Sequence, residues 1–184
     1  MMNPTALGTV FEKRVEEELL RLGFEVWRDL YIPTEEGHTQ VDIVSMRPGQ
    51  LWVVECKNWA GHLNMDTWEC TTDTGVRKVN NFFRQNTWHG MVMHSHLHIP
   101  YYNVVVVNNG LTLEGVPQGG RICHLSELHS LADVSTAKFL TNEHDIMLAH
   151  KLLDEWADPD EEKRRLHRTR LQDKYNPPIV LELP

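Results

Sequence analysis

Gln40-Val-Asp-Ile-Val-Ser-Met46, then Arg47-Pro-Gly-Gln50, then Leu51-Trp-Val-Val-Glu-Cys-Lys57 is the stretch whose reading decides the fold. Its two arms are short runs rich in β-branched and aromatic residues, and the segment between them carries Pro and Gly, so the pattern predicts a β-hairpin. Pairing through that turn makes Asp42 and Glu55 cross-strand neighbours. Side chains alternate along a strand, which puts Leu51, Val53, Glu55 and Lys57 on one face and Trp52, Val54 and Cys56 on the other.

A carboxylate and an ammonium thus emerge together at the end of an otherwise apolar strand. Charges in such a setting are costly unless they are paired or bind a metal. The donor set suits a hard cation: two carboxylates, Asp42 and Glu55, with the main-chain carbonyl of Cys56 as a third ligand, match Mg²⁺ or Mn²⁺ with water completing the shell. Lys57 is then placed to orient or activate one of those waters for attack on phosphorus. Glu-x-Lys alone is a weak signal, and a second copy at Glu161-Glu-Lys163 sits in a charged run with no strand before it. What distinguishes the first copy is Asp42 on the partner strand.

Outward from the hairpin, Val10, Val15, Leu19, Leu20 and Leu22 fall near helical spacing before the stop at Gly23, predicting a first helix over 6–22. Residues 24–32 read as a strand ended by Pro33, and 34–38 as a polar loop. After Lys57 a turn leads into a short strand pair holding Trp68 and Cys70. Val76 to Met93 reads as one helix carrying Arg77, Lys78 and Arg84, the best basic group near the carboxylates, together with Gln85. His94, His96 and His98 alternate, but convergent partners for zinc are lacking, and a polar helix end is the expectation. Tyr101 to Val107 is a continuous apolar run suited to a strand buried on both faces. Gly119 to His124 predicts a short last strand, with Ser126 capping a following helix.

From Thr141 the character shifts. Residues 142–157 carry an apolar stripe of Ile146, Leu148, Leu152, Leu153 and Trp156. Residues 160–175 are a charged run with Arg164, Arg165, Arg168 and Arg170, read as a solvated helix. Ile179 to Leu183 has the make-up of an edge strand. The expected division is 1–140 for the main domain and 141–184 for a helical extension with a short tail.

The 184 residues carry a formal net charge of −8, which argues against indiscriminate polyanion binding. No apolar run approaches the roughly 18–20 residues that span a bilayer, so no membrane partner is expected. Three cysteines without a CxxC pair favour a reducing, cytoplasmic setting.

At several points the sequence resembles the nuclease-related domain, or NERD, family of the PD-(D/E)XK nuclease superfamily. The matching motifs are Gly8-Thr-Val-Phe-Glu12, Thr39-Gln-Val-Asp42, Val54-Glu-Cys-Lys57-Asn-Trp-Ala-Gly61 and Asn81-Phe-Phe-Arg-Gln85-Asn86 with His89. One departure is Phe82, where the family has proline. The resemblance implies an α/β, restriction-endonuclease-like core with a mixed central sheet flanked by helices. It implies metal-dependent hydrolysis of nucleic acid, DNA foremost, by Asp42, Glu55 and Lys57, with Glu12 packed near the metal. Gln40 is expected as a hydrogen-bond donor beside the scissile phosphate, and Gln85 as a contact to substrate. Two other readings stand beside it: an endonuclease like the Holliday-junction resolvases, and a catalytically silent binding or assembly module. A homodimer is compatible with either.

Overall fold

The central hairpin forms as its pattern dictates. Strands β2 (Gly37–Arg47) and β3 (Gln50–Lys57) pair antiparallel, with Ile43 facing Val54, Val44 facing Val53 and Arg47 facing Gln50. The computed structural model describes residues 4–134 and 142–157; the basic run at 160–175 and the apolar 179–183 lie outside them. Strand β1 (Glu25–Thr34) runs antiparallel to β2 and continues through Pro33, which faces His38. The loop expected at 34–38 is therefore a tight turn. Pro33 is tolerated because β1 is the edge of its sheet, where a missing N–H breaks no outer ladder.

Helix α1 (Pro4–Arg21) precedes this meander, and β4 (Gly61–Asn64), β5 (Glu69–Thr72) and β6 (Gly75–Lys78) follow it. Then come α2 (Phe82–Leu97), β7 (Tyr102–Val107), β8 (Leu111–Glu114) and β9 (Arg121–His124). A 3-10 turn at Leu125–Glu127 leads into α3 (Leu128–Val134), and α4 (Glu143–Ala157) is the last described element. The five-stranded sheet has the order β1-β2-β3-β7-β9, antiparallel on the β1 side and parallel from β3 to β9. A smaller sheet, β6-β5-β4-β8, stands beside it. This is a mixed α/β fold with mixed sheets flanked by helices.

Apolar residues on the two faces of the large sheet build two cores. Phe11, Val15 and Leu19 of α1 and Leu128 and Ala132 of α3 pack with Ile43, Trp52, Val54, Val104 and Val106. On the other face Val92, Met93 and Leu97 of α2 and Ala149, Leu153 and Trp156 of α4 pack with Val44, Met46, Leu51 and Val53. The apolar stripe predicted for α4 thus has its counterpart: α4 lies against β1, and Trp27 Nε1 donates to Asp154 Oδ1 at 2.7 Å. A third cluster joins the small sheet to the start of α2 through Leu63, Cys70, Phe82 and Phe83.

Two expected elements change. The helix predicted over 76–93 begins only at Phe82, because Asn81 is its N-cap, accepting from the Arg84 amide at 3.1 Å. Residues 75–78 are strand β6, so Arg77 and Lys78 lie on a sheet edge and only Arg84 and Gln85 on the helix. The short alternating arm Gly-Val-Arg-Lys gives no helical face to bury, and pairing with β5 satisfies its backbone instead. Phe82 occupies the first helical position, where proline also fits. Its ring is fully buried, edge-on to Trp68 at 4.9 Å and to Trp59 at 5.9 Å, which proline would not supply. The second change is at Ser126, which does not cap a helix. Glu127 accepts from the His124 amide instead, and Ser126 bonds Asn109.

Candidate active site

The site forms where the ladder between β2 and β3 ends. The last registered pair is Ile43 with Val54; one step further, Asp42 stands across from Glu55, and Asp42 Oδ2 accepts the Cys56 amide at 2.9 Å in place of a ladder bond. Lys57, the final residue of β3, donates its Nζ to Glu55 Oε1. Glu55 is only 1% exposed. Its second oxygen, Oε2, is buried without a hydrogen-bond partner among the described residues, and His89 Nδ1 of α2 lies 3.7 Å away.

The electrostatics of the group follow from burial and crowding. Burial, then repulsion from Asp42, pushes the Glu55 carboxyl up to about 7, against the opposing pull of Lys57. Burial also raises Asp42, opposed by the Cys56 hydrogen bond and by Lys57. Glu12, reaching in from α1, is raised by burial and then by Asp42 and Asp29. For Lys57 burial alone would favour the neutral amine, but Glu55 and Asp42 outweigh it and hold the ammonium above its ordinary range. The Cys56 thiol is pushed far up by burial, which leaves it a poor nucleophile.

These shifts fix a sign for stability. Between the ordinary glutamate value of 4.5 and about 7, the folded protein retains a proton on Glu55 that the unfolded chain has released. The associated stability is complete below 4.5 and is lost as pH rises through about 7. In chelator-treated protein, denaturant titrations from pH 5 to pH 8 should show a loss on the order of 3 kcal/mol from this group, absent in Glu55→Gln. A variant profile parallel to the wild type would contradict the assignment.

Of the residues singled out in the sequence, Asp42, Glu55, Lys57 and Glu12 come together. Cys56 lies between Glu55 and Lys57, opposite Val106 of β7 in the parallel ladder. Gln40 donates to Asp29 Oδ1 at 2.6 Å. Arg77 stands over the Trp59 ring, the same indole that Lys57 Nζ approaches. Lys78, Arg84 and Gln85 are exposed, and among the described residues no contact ties them to the carboxylates. His94, His96 and His98 fall at the C-terminal end of α2: His94 bonds the Ile99 carbonyl, His96 the Pro33 carbonyl of β1, and His98 is the C-cap. No group of three or more His, Cys, Asp or Glu side chains among the described residues converges as a metal cage.

Three participants escape sequence reasoning. Asp29 and Asp42 fall in the gap of the β1–β2 register between the Arg28–Ile43 and Leu30–Val41 pairs, and Asp29 adopts a left-handed backbone, φ 54°, in mid-strand. Beyond it Leu30, Ile32 and Val41 pack on the α2 and α4 side, whereas unbroken alternation from Val26 and Ile43 assigns them to the α1 side. A strained non-glycine residue of this kind marks a functional site more often than a plain strand. His89 belongs to the resembled motif without an assigned role; its position against Glu55 depends on how α2 seats. Asn86, fully buried on α2, donates to Val53 O at 2.9 Å and Val104 O at 3.0 Å and so locks that helix to the adjoining strands β3 and β7. Gly61, the last residue of the third motif, has φ 116°, and a Cβ there would lie 2.2 Å from the Thr71 carbonyl, so only glycine lets β4 approach β5.

A mixed sheet whose central hairpin presents two carboxylates and a lysine defines a nuclease-like α/β domain. The nuclease-related domain model matches residues 7–108, and the chain belongs to that family. The curated proteins give no match. Among solved structures, the crystal structure of a protein of unknown function aligns at 12% identity, covering 88% of this chain and 96% of that one, with a TM-score of 0.39. No described helix is long and apolar enough to cross a membrane, and all three cysteines are free.

Proposed function

We propose that the chain hydrolyses phosphodiester bonds of nucleic acid, DNA foremost, with Asp42 and Glu55 holding a divalent cation, Mg²⁺ or Mn²⁺. The observation that carries this is the state of Glu55. It is buried and faces a second carboxylate, with one oxygen held by Lys57 and the other lacking a hydrogen bond among the described residues. A hard cation fits that donor set and would relieve the like-charge repulsion, with the Cys56 carbonyl as a further oxygen ligand. When bound, it would polarise a phosphoryl oxygen and acidify a coordinated water.

The chain's own groups supply the rest. Lys57 stays cationic through its pairing with Glu55 and stands where it can align water and stabilise charge developing on phosphorus. Glu12 adds a third carboxylate from α1. Gln40, anchored by Asp29 through one amide hydrogen, retains a second for a phosphate oxygen. The test is incubation of the pure protein with labelled single-stranded, double-stranded and branched DNA and with RNA, in Mg²⁺, Mn²⁺ or chelator. Metal-dependent cleavage is expected. Cleavage confined to branched DNA would favour the resolvase-like reading, and none under any condition would favour the silent module.

Exposed cations outside the carboxylate cluster should act on affinity alone. Lys78→Gln with Arg84→Gln should weaken DNA binding uniformly across sequences and lower the slope of log affinity against log salt by roughly 0.7–0.9 per lost phosphate contact. Salt titrations of both proteins check this. An unchanged slope would remove these two side chains from the interface.

A further inference from the structure

Strand β6, which the sequence pattern assigns to a helix, carries a cation to the edge of the site by way of an indole. The Arg77 guanidinium lies over the Trp59 ring at 5.3 Å from its centroid, and Lys57 Nζ lies 5.9 Å from the same centroid. The two charges are thus within about 11 Å of each other. Trp59 is partly buried, and its ring meets Phe82 edge-on at 5.9 Å. Phe82 is itself fully packed at the start of α2. The adjoining residue is also fixed: Asn58 Nδ2 donates to the Leu7 carbonyl at 2.8 Å, and Asn108 Nδ2 donates to Asn58 Oδ1 at 2.6 Å. Arg77 by contrast is exposed. A guanidinium already drawn over a ring loses less freedom on gripping an anion than a free side chain does, and its exposure leaves N–H donors open to solvent.

We infer that Arg77, held in place by Trp59, forms a subsite for a phosphate of the substrate strand flanking the one addressed by Lys57. Consecutive phosphates of one strand advance about 3.4 Å along the duplex axis and lie farther apart than that in space, so the span between the two cations corresponds to a neighbour within a few nucleotides. Arg77 touches substrate and Trp59 is a positioning residue. This rests on the proposed nuclease reading for its choice of anion. It also accounts for how an acidic chain acquires local attraction for a polyanion: Lys57 and Arg77 are brought to one ring beside the carboxylates.

The experiment uses the full chain with fluorescently labelled DNA in Ca²⁺, and measures affinity against salt for wild type, Arg77→Gln, Arg77→Lys, Trp59→Phe and Trp59→Leu. Arg77→Gln should weaken binding about fivefold to tenfold and lower the salt slope by roughly 0.7–0.9. Trp59→Leu should weaken binding while Arg77 keeps its charge, and Trp59→Phe should restore most of the loss. A set of oligonucleotides with one phosphate at a time replaced by a neutral methylphosphonate locates the contact. Arg77→Gln should be insensitive to one such replacement that wild type feels. Wild-type affinity and slope in Arg77→Gln, a surface substitution that leaves the core alone, would overturn the subsite. Binding by Trp59→Leu equal to wild type would overturn the positioning role.

The two readings fail separately. Cleavage with an unaffected Arg77→Gln refutes the subsite and spares the nuclease. An Arg77-dependent slope without cleavage does the reverse.

Discussion

Asp42→Ala and Glu55→Gln should each lower metal-dependent cleavage on the order of a thousandfold, with the fold retained. The expected loss is large because neither carboxylate has a substitute: Glu12 reaches the cluster from α1 and not from the hairpin, and Asp29 is engaged by Gln40. The fold should survive because these residues lie past the last Ile43–Val54 pair of the β2–β3 ladder, and the apolar clusters on both sheet faces do not include them. Glu55→Gln keeps the shape of a buried side chain, so its circular dichroism should match wild type and its unfolding should stay cooperative, differing only in pH dependence. Both variants cleaving at the wild-type rate would remove the carboxylates from the mechanism.

Lys57→Ala should lower kcat by about a hundredfold or more while divalent-cation binding persists at pH 8. The pH matters. Lys57 is one of the influences pulling Glu55 down from a still higher value, so its removal raises Glu55 further and favours the proton over the cation near neutrality. Measured above that range, the metal site should still fill and only turnover should fall. An active Lys57→Ala enzyme would make the Lys57–Glu55 contact an ion pair of structural use alone.

Much of this was legible in the chain because one local signal, two apolar arms about Pro48-Gly49, fixes register, and register fixes which side chains oppose. Asp42 against Glu55, and Lys57 beside it, follow from period-two alternation and a short turn. The stripe on 142–157 was legible from its helical spacing, and the buried strand from the apolar run Tyr101 to Val107. What was not legible depends on contacts distant in sequence. Residues 75–78 have no intrinsic claim to a strand; they pair because β5 offers an open edge, and that pairing moves Arg77 from a helix to the Trp59 ring. Asp29 carries no local mark of its left-handed conformation, which coincides with the gap in the β1–β2 register. His89 reaches Glu55 only because α2 seats on the sheet, with Asn86 bonded to the carbonyls of two strands.

The central claim is that Asp42 and Glu55 together hold a divalent cation, and calorimetric titration of Mn²⁺ into metal-free protein at pH 8 tests it most directly. Wild type should show one saturable site that competes with Mg²⁺. Asp42→Ala and Glu55→Gln should each abolish it, and Lys57→Ala should keep it. Equal Mn²⁺ binding by wild type and both carboxylate variants, or none by the wild type, would contradict the account.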